Sequence, residues 1–60
     1  MKQVFYYEQD TNRNIHYVDT VNPFIPQKYT KVRICNELYM VTDVVYEPGD
    51  PVEKFYITLK

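Results

Sequence analysis

Few side chains in this sixty-residue chain could do covalent chemistry. His16 is the only imidazole and Cys35 the only thiol. A Cys–His dyad would need the two brought within hydrogen-bond reach, which requires their strands to be neighbours. A half-exposed histidine and a small buried thiol are the commoner fate of such residues. The chain has no serine, so a serine triad is excluded, and its single glycine leaves no loop to cradle a phosphate. Asp43 with Glu47, or Asp50 with Glu53, could form an acid pair. Such a pair needs a pocket that shifts one pKa, and a chain this short has little interior to supply it. Turn and strand-edge positions explain these carboxylates better. One thiol and one imidazole nineteen positions apart, with no CxxC or HxxxH spacing, make a poor metal site. The expectation is a non-enzymatic protein with no metal and no cofactor.

What the chain does have is aromatic surface: seven tyrosines and three phenylalanines, with no tryptophan and no alanine. Tyrosine offers broad, rigid contact area with a polar tip, the kind of side chain favoured where proteins meet. Tyr7, Tyr17, Phe24, Ile25 and Tyr56 are the residues expected to contact a protein partner. A platform of Tyr7, Tyr17, Tyr29 and Tyr56 beside Lys28, Lys31, Arg33 and Lys54 could instead stack the bases of a single strand. Against that, Glu8, Asp10, Asp19 and Glu53 interrupt each stripe, and the net charge is −1. Phosphate binding needs a positive face, so nucleic acid is the weaker alternative.

These residues must be carried by strands. Val, Ile, Tyr, Phe and Thr dominate, and no window sustains a 3.6-residue apolar period. Alternation and punctuation place strands at about Lys2–Tyr7, Ile15–Val21, Lys28–Cys35, Leu38–Glu47 and Val52–Lys60. Glu8 to Asn14 has turn chemistry throughout and should close a hairpin between the first two. Asn22-Pro23-Phe24-Ile25-Pro26-Gln27 is a corner, because two prolines three residues apart cannot both feed a ladder. Asn36-Glu37 makes a short turn, and Pro48-Gly49-Asp50-Pro51 is the strongest turn signal of all.

The last strand alternates cleanly, with Phe55, Ile57 and Leu59 on one face and Lys54, Tyr56, Thr58 and Lys60 on the other. The fourth does not: on a regular strand Tyr39 and Val41 would face one way, Val44 and Tyr46 the other. A bulge near Thr42-Asp43 would restore the phase and put all four on one side. Without it, Leu38, Met40, Val44 and Tyr46 would face the core.

The stretch Val32-Arg33-Ile34-Cys35-Asn36-Glu37-Leu38-Tyr39-Met40-Val41-Thr42-Asp43-Val44-Val45-Tyr46, followed by Phe55-Tyr56-Ile57-Thr58-Leu59, resembles small SH3-like barrel proteins of bacteriophages and their hosts. In these a Val-x-Ile, turn, Tyr-x-Val-x-x-Val hairpin is followed by a closing strand. The resemblance covers Tyr29 to Leu59, and residues 1–27 have no counterpart in it. It implies an SH3-like barrel and a phage or mobile-element origin, without implying an activity.

The expected fold is therefore all-β: a single domain over residues 1–60, a five-stranded antiparallel meander curled into a small SH3-like barrel or strongly twisted sheet. A chain of sixty residues buries only about 60% of the surface its unfolded form exposes. With one cysteine it has no internal disulfide, so a homodimer is the expected source of extra core. Strands one and five are read as the edges that would pair. The first residues lack the apolar core of a signal peptide, and no apolar run approaches the about twenty residues of a membrane span. A single thiol also fits a reducing compartment. A cytoplasmic setting is the expectation. The function expected is binding another protein, as a phage-encoded inhibitor or modulator of a host enzyme or defence complex. A single-strand nucleic-acid binder and a structural virion or connector component are the alternatives.

Overall fold

Alternation of β-branched and aromatic residues produces five strands in the computed structural model, which describes residues 1–60. They are β1 (Lys2–Glu8), β2 (Asn14–Thr20), β3 (Lys31–Ile34), β4 (Glu37–Glu47) and β5 (Glu53–Leu59). There is no helix, and so none long and apolar enough to cross a membrane. The strands form one sheet in the order β2-β1-β5-β4-β3, nearly closed into a barrel. This is the expected all-β class with the expected five strands, compatible with an SH3-like barrel.

One pairing departs from a simple meander. β1 and β5 run parallel, with Val4 opposite Phe55 and Tyr6 opposite Ile57, while every other neighbouring pair is antiparallel. The β3-β4-β5 meander delivers β5 beside β1, and the hairpin partner of β1 lies on its far side. The edges of the sheet are consequently β2 and β3, not strands one and five. The segment from Val21 to Thr30 carries the chain from one edge to the other, and the curl brings those edges towards each other.

The core lies on the inner face. Val4, Val41, Ile57 and Leu59 have no exposed surface, and Tyr6 and Ile34 complete the buried cluster. Ile15, Val18, Ile25, Val32, Tyr39, Val44 and Phe55 pack around it. Burying one such aliphatic side chain stabilises the fold by about 1.5–3 kcal/mol. The fully buried set is small, and conformational entropy opposes it along the whole chain. β5 follows its sequence pattern: Phe55, Ile57 and Leu59 face inward and Tyr56 outward.

On β4 the register passes from Val41 opposite Leu59 to Asp43 opposite Thr58, so Thr42 is an extra residue. This bulge puts Tyr39, Val41 and Val44 against the core, with Tyr46 beside Phe55 at a ring distance of 5.0 Å. Leu38 and Met40 are left exposed. The Thr42 hydroxyl donates to the Thr58 carbonyl (3.3 Å) and the Val44 amide to the Asp43 carboxylate (3.0 Å), fixing the bend. A second bulge, at Ile15, interrupts the β1–β2 register between Tyr6 and Tyr7.

The turns differ from expectation in two places. Ile34 pairs with Glu37, so the β3–β4 turn is Cys35-Asn36, one residue earlier than expected. Both residues are left-handed, with φ of 52° and 68°, which is the two-residue turn whose twist matches a hairpin. The third strand begins at Lys31 and not at Lys28, because Tyr29 has a φ of 71° and breaks the extended run. Tyr29 and Thr30 still bond to β4, through the Tyr29 amide to the Val41 carbonyl (2.7 Å) and the Val41 amide to the Thr30 carbonyl (2.8 Å).

Candidate protein-binding surface

The outer face of β2, β1 and β5 carries a row of aromatic rings. Period-two geometry turns Phe5 and Tyr7 away from the core that holds Val4 and Tyr6. The register sets Phe5 opposite Tyr17 on β2 and opposite Tyr56 on β5. Ring centroids are 5.0 Å apart for Phe5–Tyr17 and 5.4 Å for Phe5–Tyr56, the latter nearly coplanar at 14°. Tyr7 sits one pleat along β1, 6.4 Å from Phe5 and 6.3 Å from Tyr56. Val45 of β4, opposite Tyr56, extends the row and is half exposed. Aromatic pairs at these separations add about 0.5–1.5 kcal/mol beyond their burial. The row is thus both a cross-strand brace and an outward-facing aromatic surface.

Each end of the row is tied to a carboxylate. The Tyr17 hydroxyl donates to Asp19 (2.9 Å) and the Tyr56 hydroxyl to Glu47 (3.4 Å). The same device recurs elsewhere, with Tyr39 donating to Glu37 (2.9 Å) and Tyr46 to Glu53 (3.1 Å). All four phenols are held above the usual tyrosine range. For Tyr17, Tyr46 and Tyr56 loss of water around the ring leads and the neighbouring carboxylate adds to it; for Tyr39 the hydrogen bond to Glu37 leads. Every phenolate would form beside an existing negative charge, so the rings present neutral hydroxyls.

Three of the five residues expected to contact a partner, Tyr7, Tyr17 and Tyr56, come together on this face. The other two do not join them. Phe24 projects from the β2–β3 loop with 81% of its surface exposed, while Ile25 beside it packs against the core and Pro26 is fully buried. Phe24 borders a shallow groove of about 330 Å³ with Ile25, Pro26, Lys31 and Val32. The loop is therefore part plug and part display. Tyr29 lies away from the row, bonded through its amide to Val41 of β4 and paired with none of the row's rings, so the four-tyrosine platform does not assemble; Lys28 stands over its ring at 5.1 Å.

Phe5, the centre of the row, is the residue that pattern reading missed. Val4-Phe5-Tyr6-Tyr7 is apolar at every position, so alternation alone does not say which pair faces out. The signal available was spacing: Phe5 and Tyr7 share a face whichever way it turns.

The residues with catalytic potential are placed elsewhere. His16 packs beside Tyr6 with ring centroids 5.5 Å apart, and Cys35 is exposed at the β3–β4 turn and not buried. Their strands lie at opposite edges of the sheet. A cleft of about 340 Å³ opens between those edges, where Asn14 and Ile15 face Ile34, Cys35 and Tyr39. Asp43, Glu47 and Glu53 each accept one of the hydrogen bonds given above. Nowhere do three His, Cys, Asp or Glu side chains gather as a metal site would require.

Comparison with protein-family models, with curated proteins and with solved structures finds no match to this chain.

Proposed function

We propose that this chain is a small, non-enzymatic, cytoplasmic protein-binding module that engages another protein through the Tyr17–Phe5–Tyr56 row and Tyr7. The single observation behind this reading is the continuity of that row across three strands on the outer face. Rings already locked against one another lose little freedom on binding, which favours them as contact anchors. Neither of the two clefts lies on this face, and an aromatic surface without a concavity suits a protein partner better than a small molecule. Asp19 and Glu47 at the two ends weigh against a single-stranded nucleic acid, whose phosphates they would repel. The finer reading, a phage-encoded inhibitor or modulator of a host enzyme or defence complex, belongs to this proposal and rests on the resemblance of Tyr29 to Leu59 alone.

The test is capture of partners from bacterial lysate by the tagged chain, with mass spectrometry, comparing wild type with Tyr56→Ala and Phe24→Ala. Loss of an anchoring tyrosine costs about 2 kcal/mol or more of binding, roughly thirtyfold in affinity. A partner lost with Tyr56→Ala and kept with Phe24→Ala supports the row. The opposite pattern moves the site to the loop. Binding to a labelled oligonucleotide that weakens steeply with salt would replace the protein reading with the nucleic-acid one.

A further inference from the structure

We infer that the free edge of β2 pairs with β2 of a second copy, antiparallel and centred on Tyr17, to give a two-fold dimer. The inference concerns the backbone edge of β2; it shares Tyr17 with the proposed face but does not depend on Tyr56 or Tyr7.

Backbone geometry decides which groups are free. The Gln9 amide donates to the Leu59 carbonyl, so in the parallel β1–β5 ladder the odd-numbered residues of β1 turn their peptide groups towards β5. The even-numbered residues bond to β2. Phe5 and Tyr17 are then a non-hydrogen-bonded pair, and the Tyr17 N–H and C=O point away from β1. Asp19, opposite Gln3, points the same way. Tyr17 and Asp19 border neither of the two clefts, and no loop backbone or side chain bonds to their peptide groups.

The two edges are guarded differently. β3 has only four residues and carries Lys31 and Arg33, the charged residues that discourage pairing. β2 has seven residues without a lysine, arginine or proline. Its one full charge, Asp19, is already bonded to the Tyr17 hydroxyl.

The side chains of β2 also fit a copy of themselves. Pairing about Tyr17 sets His16 against Val18 of the copy, and Asp19, the one full charge on β2, meets no charged residue of the copy's β2. Tyr17 meets Tyr17 of the copy, and the aromatic row that stops at a half-exposed ring continues into the second molecule. Such a pairing adds burial to a chain that buries seven of its sixty residues.

A two-fold axis through Tyr17 makes it the one position that faces itself, at a Cα separation of about 5.5 Å for a hydrogen-bonded pair, within disulfide range. The test combines sedimentation of the full chain with cross-linking. The wild type should sediment at about twice 7.3 kDa at micromolar concentration. Tyr17→Lys should shift it to the monomer with its circular dichroism unchanged. In a Cys35→Ser background, Tyr17→Cys should oxidise to a covalent dimer at least tenfold faster than Asp19→Cys. A wild-type monomer overturns the inference, as does a dimer indifferent to Tyr17→Lys or equal cross-linking at positions 17 and 19. Should Tyr17→Lys fail to fold, the cross-linking pair decides. Partner capture lost with Tyr56→Ala is read separately, so either idea can fail alone.

Discussion

Val41 and Val44 face the same side of β4, although they are three positions apart in sequence and a regular strand would turn them to opposite faces. Val41 is fully buried opposite Leu59, and Val44 packs on the core opposite Ile57. Thr42 makes this possible by sitting outside the register. The bend it introduces lets one eleven-residue strand serve two stretches of the curled sheet: its first part pairs with β3 and its second with β5.

Deleting Thr42 should therefore be far worse than substituting it. The deletion would send either Tyr39 and Val41 or Val44 and Tyr46 to the solvent face. Either pair would lose its packing, the first including the fully buried Val41 at about 1.5–3 kcal/mol and the second the partly buried Val44 at less, a large share of the stability of a domain of this size. The deletion should abolish cooperative thermal unfolding followed by circular dichroism. Thr42→Ala loses only the hydroxyl bond to Thr58 and should cost about 1 kcal/mol. Equal, mild effects from both changes would mean that the register does not depend on the bulge.

Cys35→Asn should stabilise the chain. Cys35 holds a φ of 52°, a conformation that costs an ordinary L-residue about 1–2 kcal/mol and asparagine less. Its thiol is exposed, so little packing is lost. A gain of about 0.5–1 kcal/mol in urea unfolding, with an unchanged m-value, is expected. A loss of stability would show that the thiol makes contacts that outweigh the backbone strain.

Alkaline pH should unfold the protein earlier than its cation content alone would. Tyr6, Tyr17, Tyr39, Tyr46 and Tyr56 all titrate above the ordinary value of 10.0 when folded. Burial is the cause for Tyr6, and dehydration together with a carboxylate neighbour acts on the others. The folded state holds these protons more tightly than the unfolded chain does. Their stabilisation is thus complete below about pH 10 and is lost as pH rises through the folded values. Thermal midpoints should be flat with respect to these groups up to about pH 9 and fall beyond pH 10, in step with phenolate absorbance. Tyr39→Phe removes one such group and should flatten the fall. The same slope in wild type and variant would argue against the Tyr39–Glu37 pair as a contributor.

Much of this architecture was legible in the residues themselves. Alternation fixed the existence and order of five strands, the inward set of β5, and the need for a bulge at Thr42, because each depends on neighbours a few positions apart. The edges were misread, since strand adjacency is set by contacts between residues distant in sequence. Nothing local to Val4-Phe5-Tyr6-Tyr7 says that β1 lies parallel to β5, or that Phe5 is the ring on which Tyr17 and Tyr56 converge. The candidate face was accordingly half visible: Tyr7, Tyr17 and Tyr56 stood out as strand aromatics, but their centre did not. Phe24 and Ile25 read alike in a proline-flanked loop, and only packing divided them.

The sequence by itself determined that this chain is all-β, rich in flat aromatic surface, and poor in residues that could do chemistry. Those properties follow from side-chain type and short-range period. Tertiary structure alone decided which aromatics are buried and which are displayed, and which strand keeps a free edge. Both outcomes hinge on the parallel β1–β5 pairing, a contact between the two ends of the chain that no local preference specifies.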